Sequence, residues 1–509
     1  MNRTNIGLAR WTALGLACCL SLAGSAPGAQ GDGAIAFVGV SVIPMDTERV
    51  LIRHTVVIQG DRIVAIEPAD EASLPPGTRR IEAQGRYLIP GLVDVHARVL
   101  SDLRIAHEFI DDELAVMVAN GVTTWRSPVG TARLLDDRER IASTDVVAPT
   151  LYVASPLLTD AGTEDAADRR VLRTPFEAAA AIRDFDSAGY DFVSLGFDLS
   201  SDMYQGIVLT ARGSGMPIIG RVPATVGLRR ALEAGQEITH LDGYLEAMMD
   251  DAASIEGLSG GGVWKQENWA ALDRIDEERI EDLVRATVDA EVWNTPTLSY
   301  LDVAFGTGRT DADIEQSPEY RFVSPTVRAA LLASRDLFWS SPPDVRLRRR
   351  YVELRSRLVR ELHEAGGKLL LGSGAPEWML LYGFSVHREL EAMVAAGLPP
   401  FSALSSATRS PAVFLSWGGG GGRTEYATVE EGTIRFEATV TGEVDFGSIA
   451  VGKRADLVLL GSNPLDDIDN TQAIEGVVLR GRWLPREELD ALLGGAAARL
   501  SRAPLSAGS

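Results

Sequence analysis

Six histidines are spread through the 509 residues, and an imidazole can ligate a metal or move a proton near neutral pH. Two of them close short apolar runs. His96 ends Pro90-Gly91-Leu92-Val93-Asp94-Val95-His96, with Ala97 and Arg98 after it, and His240 ends Gly235-Gln236-Glu237-Ile238-Thr239-His240. A third run, Pro217–Val222, carries Arg221 at its end, and a fourth leads into Gly372-Ser373-Gly374 with Glu377 just beyond. Other candidates are poorer. His107 and Asp111 share a helix face beside Glu108 and Asp112, but a second histidine is missing and the pattern reads as a solvated acidic face. His54 and His363 fit no site. No Gly-rich stretch carries a Walker lysine, and no Gly-x-Ser-x-Gly elbow is present, which removes a nucleotide fingerprint and the serine hydrolase route.

What must position these residues is an alternation of strand and helix. Eight short apolar segments read as strands: Leu92–Ala97, Val122–Arg126, Thr150–Ser155, Asp191–Phe197, Pro217–Val222, Glu237–Leu241, Val292–Leu298 and Lys368–Gly372. Amphipathic stretches such as Ile105–Ala119, Pro175–Ala188 and Leu228–Ala234 lie between them. Such a pattern predicts a parallel sheet buried on both faces, here an α/β fold of the (β/α)8 TIM-barrel type. In that fold chemistry gathers at the C-terminal ends of the strands, where His96, Arg98, Arg221 and His240 stand.

β-rich segments flank the barrel at both chain ends, with turns such as Gln59-Gly60-Asp61-Arg62, and predict one small composite β-sandwich domain. The expected organisation is a signal peptide over 1–29, the β domain's N-terminal part over 30–88, and the barrel over 89–415. A Gly-rich insertion over 416–446, the β domain's C-terminal part over 447–492 and a flexible tail over 493–509 follow.

Bulk properties narrow the function. Hydrophobic residues form 45% of the chain and charged residues 24%, as in ordinary globular proteins. Arg3 and Arg10 flank a short polar start, the apolar stretch Trp11–Leu22 that follows is too short to span a bilayer, and Pro27-Gly28-Ala29 offers a cleavage region. The expectation is an exported protein, periplasmic or secreted, with no transmembrane span. Both cysteines, Cys18 and Cys19, fall inside that signal, so the mature chain has no disulfide. Cleavage removes two arginines and no acids, taking the net charge from −22 to −24 and disfavouring nucleic acid.

The motifs around His96 and His240 resemble the amidohydrolase superfamily, in the branch of imidazolonepropionases and metal-dependent dipeptidases. Ala119-Asn120-Gly121-Val122-Thr123-Thr124, Gly189-Tyr190-Asp191-Phe192-Val193, Gly452-Lys453-Arg454-Ala455-Asp456-Leu457 and Asn463-Pro464-Leu465 carry the same resemblance, which spans residues 34 to 492. It implies hydrolysis of C–N bonds, in non-peptide or dipeptide amides, by two divalent metals such as zinc. Their ligands would be two histidines and an aspartate on strands one and eight, one histidine each on strands five and six, and a bridging carboxylated lysine on strand four.

Carried over residue by residue, only His96 and His240 match. Arg98, Ser194, Arg221 and Gly374 stand where the other ligands belong. The two survivors would serve different metals, and a catalytic zinc wants about three protein ligands. No cofactor is therefore expected. His387, in Phe384-Ser385-Val386-His387-Arg388-Glu389-Leu390, matches a family segment and reads as structural. Two readings of Arg98 and Arg221 stay open: they hold a small anionic molecule with forked hydrogen bonds, or they pair with nearby acids and plug the emptied site. Three readings of function stay open as well. The chain is a former hydrolase that binds a ligand, a C–N hydrolase rebuilt on His96, His240 and Glu377 with little or no metal, or a non-catalytic scaffold subunit. It would act alone, as a homo-oligomer or with a paralogue partner.

Overall fold

The computed structural model describes residues 33–506 apart from 163, 250–265, 306–311, 314–315, 339–343, 417–422, 431–432 and 441–443. The expected signal over 1–29 and the run Gly418–Gly422 lie outside the described residues.

The first β-branched segments pair as read. Strands β1 (Ile35–Val42), β2 (Leu51–Gln59) and β3 (Arg62–Pro68) run antiparallel, and Gln59 opposite Arg62 closes the Gly60-Asp61 turn. Two strands, β4 (Arg79–Glu82) and β5 (Tyr87–Pro90), add parallel to β1. The chain then enters its helical half and returns to the same sheet at the far end, where Leu457–Leu460, Ile474–Leu479 and Arg482–Pro485 extend it from β5. The two chain ends thus build one eight-stranded sheet. Phe37 and Trp483 meet edge to face in its core, with ring centres 5.0 Å apart.

Between these ends, short strands alternate with helices. Strands β6 (Leu92–Asp94), β7 (Val122–Ser127) and β8 (Thr150–Val153) form one parallel sheet. A second parallel sheet holds β9 (Leu157–Thr159), β10 (Arg169–Val171), β11 (Val193–Leu195), β12 (Ile218–Gly220), β13 (Glu237–Thr239), β14 (Trp293–Thr295) and β15 (Lys368–Leu369). Each of the eight expected segments overlaps one of these strands. The pair β9 and β10 was not anticipated, because Pro156 and an Asp-rich loop hide two three-residue strands. Every residue of β6, β7, β11, β13 and β14 is buried, as parallel strands covered on both faces require. Polar side chains are nevertheless numerous within them, and they mark the interior from which the site is built.

Two regions differ from the sequence expectation. In the expected insertion, Arg423–Glu430 and Thr433–Val440 pair as a two-stranded antiparallel sheet. A helix, Arg486–Leu500, runs from the end of the expected β-domain segment through residue 500 of the expected flexible tail and buries Leu489, Leu493, Ala496 and Leu500 along one stripe. Alanine favours helix, and an apolar stripe at helical spacing anchors a segment whose composition alone suggested fraying. Beyond it, Ser506 N–H still donates to Arg104 O (2.7 Å).

Candidate functional site

All seven residues singled out from the sequence, His96, Arg98, Ser194, Arg221, His240, Gly374 and Glu377, line one cavity of about 220 Å³. Each sits within, or up to eight residues past, a parallel strand. Backbone bonds from neighbouring strands fix the key positions: His240 N–H donates to Thr295 O (2.8 Å) and Gly374 N–H to His96 O (2.8 Å).

The two imidazoles meet edge to face, with ring centres 4.8 Å apart. His240 also stacks on Tyr300 at 5.0 Å and holds Thr297 Oγ1 through Nδ1 at 2.6 Å. Its backbone is left-handed, with φ +58°, a conformation costly for a side-chain-bearing residue. Buried Arg355 donates to its carbonyl oxygen and secures that bend. Burial pushes His96 down to about 3, helped by the guanidiniums of Arg126, Arg221 and Arg98. Burial likewise lowers His240, with Arg221 next in effect. Both rings are neutral, and such imidazoles are weak proton acceptors.

Arg98 and Arg221 are matched by acids. Arg98 Nη2 donates to Asp102 Oδ2 (2.9 Å) and Asp168 Oδ2 (3.1 Å). Arg221 Nε donates to Asp242 Oδ2 (2.5 Å), and its guanidinium lies 5.3 Å from the Phe197 ring centre. Glu377 is at the exposed rim, where it accepts from the Tyr300 hydroxyl at 3.3 Å.

Gly374 has little room for a side chain. Its φ is +71°, and a Cβ added there would stand 2.7 Å from Tyr300 Cβ. At Gly372 a Cβ would stand 2.5 Å from both His96 Cβ and Thr295 Cγ2. Tyr300 has filled the space that a side chain at 374 would need. Sequence reading missed it, because only the fold brings the end of the seventh strand against the eighth.

Sequence reading also missed Arg126 and Glu237, whose side chains are 0% and 1% exposed and 3.6 Å apart. Arg126 Nε donates to Val95 O (2.6 Å), and its guanidinium lies 5.4 and 5.3 Å from the ring centres of Phe192 and Phe414. Glu237 accepts from the hydroxyls of Thr295 and Thr239 and from Gly220 N–H. A signal was available: a charge inside an otherwise apolar buried strand needs a partner.

This donor set does not fit a metal pair. Among the described residues no group of three or more His, Cys, Asp or Glu is placed to hold a metal ion. The guanidiniums of Arg126, Arg221 and Arg98 act on His96, and those of Arg221 and Arg355 on His240, a setting that repels a dication.

Two buried glutamates hold the segments around the cavity. Glu113 accepts from the N–H groups of Leu100 (2.7 Å) and Ser101 (3.0 Å), in the loop that carries Arg98 and Asp102. Glu389 accepts from Leu298 (2.8 Å) and Ser299 (2.7 Å), at the start of the helix that carries Tyr300. Burial pushes both carboxyls up to about 7, against lowering bonds from Ser101 and Tyr382 for Glu113 and from Ser299 for Glu389; Asp94 adds to the rise at Glu389. A carboxyl raised on folding makes the folded state bind more protons than the unfolded one. Its contribution is full below the unfolded value of about 4.3 and is lost as pH rises through about 7. These two carboxyls should therefore contribute a fall in stability to urea between pH 5 and 7.5, against the rise that the lowered His96, His240 and His387 contribute up to about 6.5. Glu113→Gln and Glu389→Gln should each flatten that fall, and an unchanged slope in both would contradict the assignment.

The remaining sequence candidates are structural. His107 Nε2 lies 2.8 Å from Asp137, Asp111 pairs with Arg140 at 2.6 Å, and Asp112 pairs with Arg499. His387 holds Thr471 Oγ1 at 2.9 Å and ties the helix Phe384–Ala395 to the C-terminal segment.

No family model matches the chain. Among solved structures it is similar to bottromycin amidohydrolase, at 21% identity and TM-score 0.67 over 91% of this chain and 90% of that one. A putative prolidase from Bifidobacterium longum matches at 22% identity and TM-score 0.60, over 91% and 99% of the two chains. Molinate hydrolase matches at 19% identity and TM-score 0.60, over 90% and 96%. These amidohydrolase-superfamily neighbours establish the fold. Adenine deaminases of Ruegeria pomeroyi and Paracoccus denitrificans match at 37% and 32% identity over 82 residues, 16% of this chain. The match spans only 13% of those relatives' own length.

Proposed function

We propose, from an amidohydrolase-type fold as premise, that this chain is an exported protein in which metal-assisted C–N hydrolysis has been given up and a small-molecule pocket kept. Eight parallel strands would close into a barrel. The Ala154–Phe192 bridge supports a join between β8 and β11, and the Val95 N–H to Leu371 O bond (3.1 Å) supports a join between the first and eighth strand segments. The composite β domain finds support in the one sheet shared by both chain ends.

The observation that carries the functional reading is how the lost ligand positions are filled. Arg98 and Arg221 stand in ion pairs with Asp102, Asp168 and Asp242, and Tyr300 packs against Gly374. An anion at either arginine would meet carboxylates already paired with it. A neutral polar molecule would not be repelled by them. The cavity, at about 220 Å³, lies below the roughly 300 Å³ at which drug-sized pockets begin, so the ligand is small.

Dipeptides and cyclic amides, offered with and without added zinc, should show no hydrolysis above buffer. Zinc-dependent turnover lost on His240→Ala would overturn the reading. Small neutral amides should raise the melting temperature of the parent chain, and Ser194→Leu, which narrows the cavity, should abolish the rise. Preferential stabilisation by carboxylates, lost on Arg221→Met, would favour an anion instead.

A further inference from the structure

A second pocket, of about 390 Å³, adjoins the inner cavity and shares Pro376 and Glu377 with it. Its apolar wall is Leu103, Leu331 from the helix Pro325–Phe338, and Trp378 beside the shared pair. The residues at the boundary reach both sides. Tyr300 lines the inner cavity, donates its hydroxyl to Glu377 Oε2 (3.3 Å), and has its ring centre 6.3 Å from that of Trp378 in the outer pocket. Trp378 takes its place on a left-handed backbone, φ +52°, a conformation that the surrounding packing must hold.

The polar groups of the outer pocket are already engaged. Arg104 Nη2 donates to Ser334 Oγ (3.3 Å), Arg335 has a partner of its own, and the Glu377 carboxylate lies on the same wall. A charged group entering here would have to compete with those contacts. A hydrocarbon would only replace water on Leu103, Leu331 and Trp378.

We propose, on the reading of the inner cavity as a site for a small neutral polar molecule, that the ligand is a neutral amide with an uncharged apolar arm. The amide head sits in the inner cavity, and the arm, several carbons long, passes Glu377 and lies against Leu103, Leu331 and Trp378. The inner volume of about 220 Å³ limits the head and not the whole ligand. The arm contributes affinity by covering apolar surface that is otherwise wet.

The test is isothermal titration of the full chain with acetamide, butanamide and hexanamide, and with two charged-tail analogues, adipic acid monoamide and 6-aminohexanamide. Affinity should rise about two- to fourfold per added methylene, the range that partial to full burial of a CH2 gives. Hexanamide should bind about tenfold or more tighter than either charged-tail analogue. Leu331→Asn should remove most of the rise with length and leave acetamide binding as in the parent, whereas Ser194→Leu should weaken every amide. Acetamide binding with no gain along the series would overturn the outer-pocket assignment and leave the inner reading intact. A charged tail that binds as well as hexanamide, or a length dependence untouched by Leu331→Asn, would overturn it too. Undetectable binding of every amide would overturn the inner reading and this assignment together. The length series on the parent protein needs no variant to fold.

Discussion

Arg126→Met should cost about 3–5 kcal/mol of stability, and adding Glu237→Gln should recover most of the loss. The two side chains are 0% and 1% exposed, so removing the guanidinium leaves a desolvated carboxylate facing only Thr295, Thr239 and Gly220. Methionine replaces most of the arginine's volume between Phe192 and Phe414, which keeps the cavity term small. Neutralising the carboxylate then removes the main penalty. Guanidinium chloride unfolding of both single variants and the double variant measures this as a coupling energy. Strict additivity would show that the pair is not one electrostatic unit. The pair places a permanent cation behind His96, in the interior where the superfamily resemblance implies metals.

Gly374→Asp should destabilise the chain by about 3 kcal/mol or more and restore no activity. The backbone there is left-handed, with φ +71°, and the new Cβ would press on Tyr300 at 2.7 Å. Strain of the backbone and overpacking each cost about 1–3 kcal/mol. Gly374→Asp combined with Tyr300→Ala should relieve the overlap and leave the backbone term, and it should still gain no zinc-dependent turnover. A Gly374→Asp variant as stable as the parent would show that Tyr300 moves aside easily, and that the site is closer to its metal-binding form than we argue.

Much of the frame was legible because short apolar strands and amphipathic helices are written in local periodicity. The seven candidate residues were legible for a related reason: each follows a recognisable strand, and in this fold strand ends converge. What fills the site was not legible. Asp168 reaches Arg98 from the loop between β9 and β10, two strands too short to carry a pattern. Tyr300 meets Gly374 only through the packing of the last two strand ends. Arg126 and Glu237 each look like an isolated charge until β7 and β13 face a common interior. The helix running past Leu492 is hidden by an Ala- and Gly-rich composition, although Leu489, Leu493, Ala496 and Leu500 fall on one stripe.

We propose that His96 and His240 are what remains of a metal site that no longer forms. Elemental analysis of the purified chain, followed by zinc titration calorimetry, tests it most directly. The account predicts far less than one metal per chain and no saturable zinc binding that is lost on His96→Ala or His240→Ala. One or two tightly held metals per chain, released in either of those variants, would contradict it.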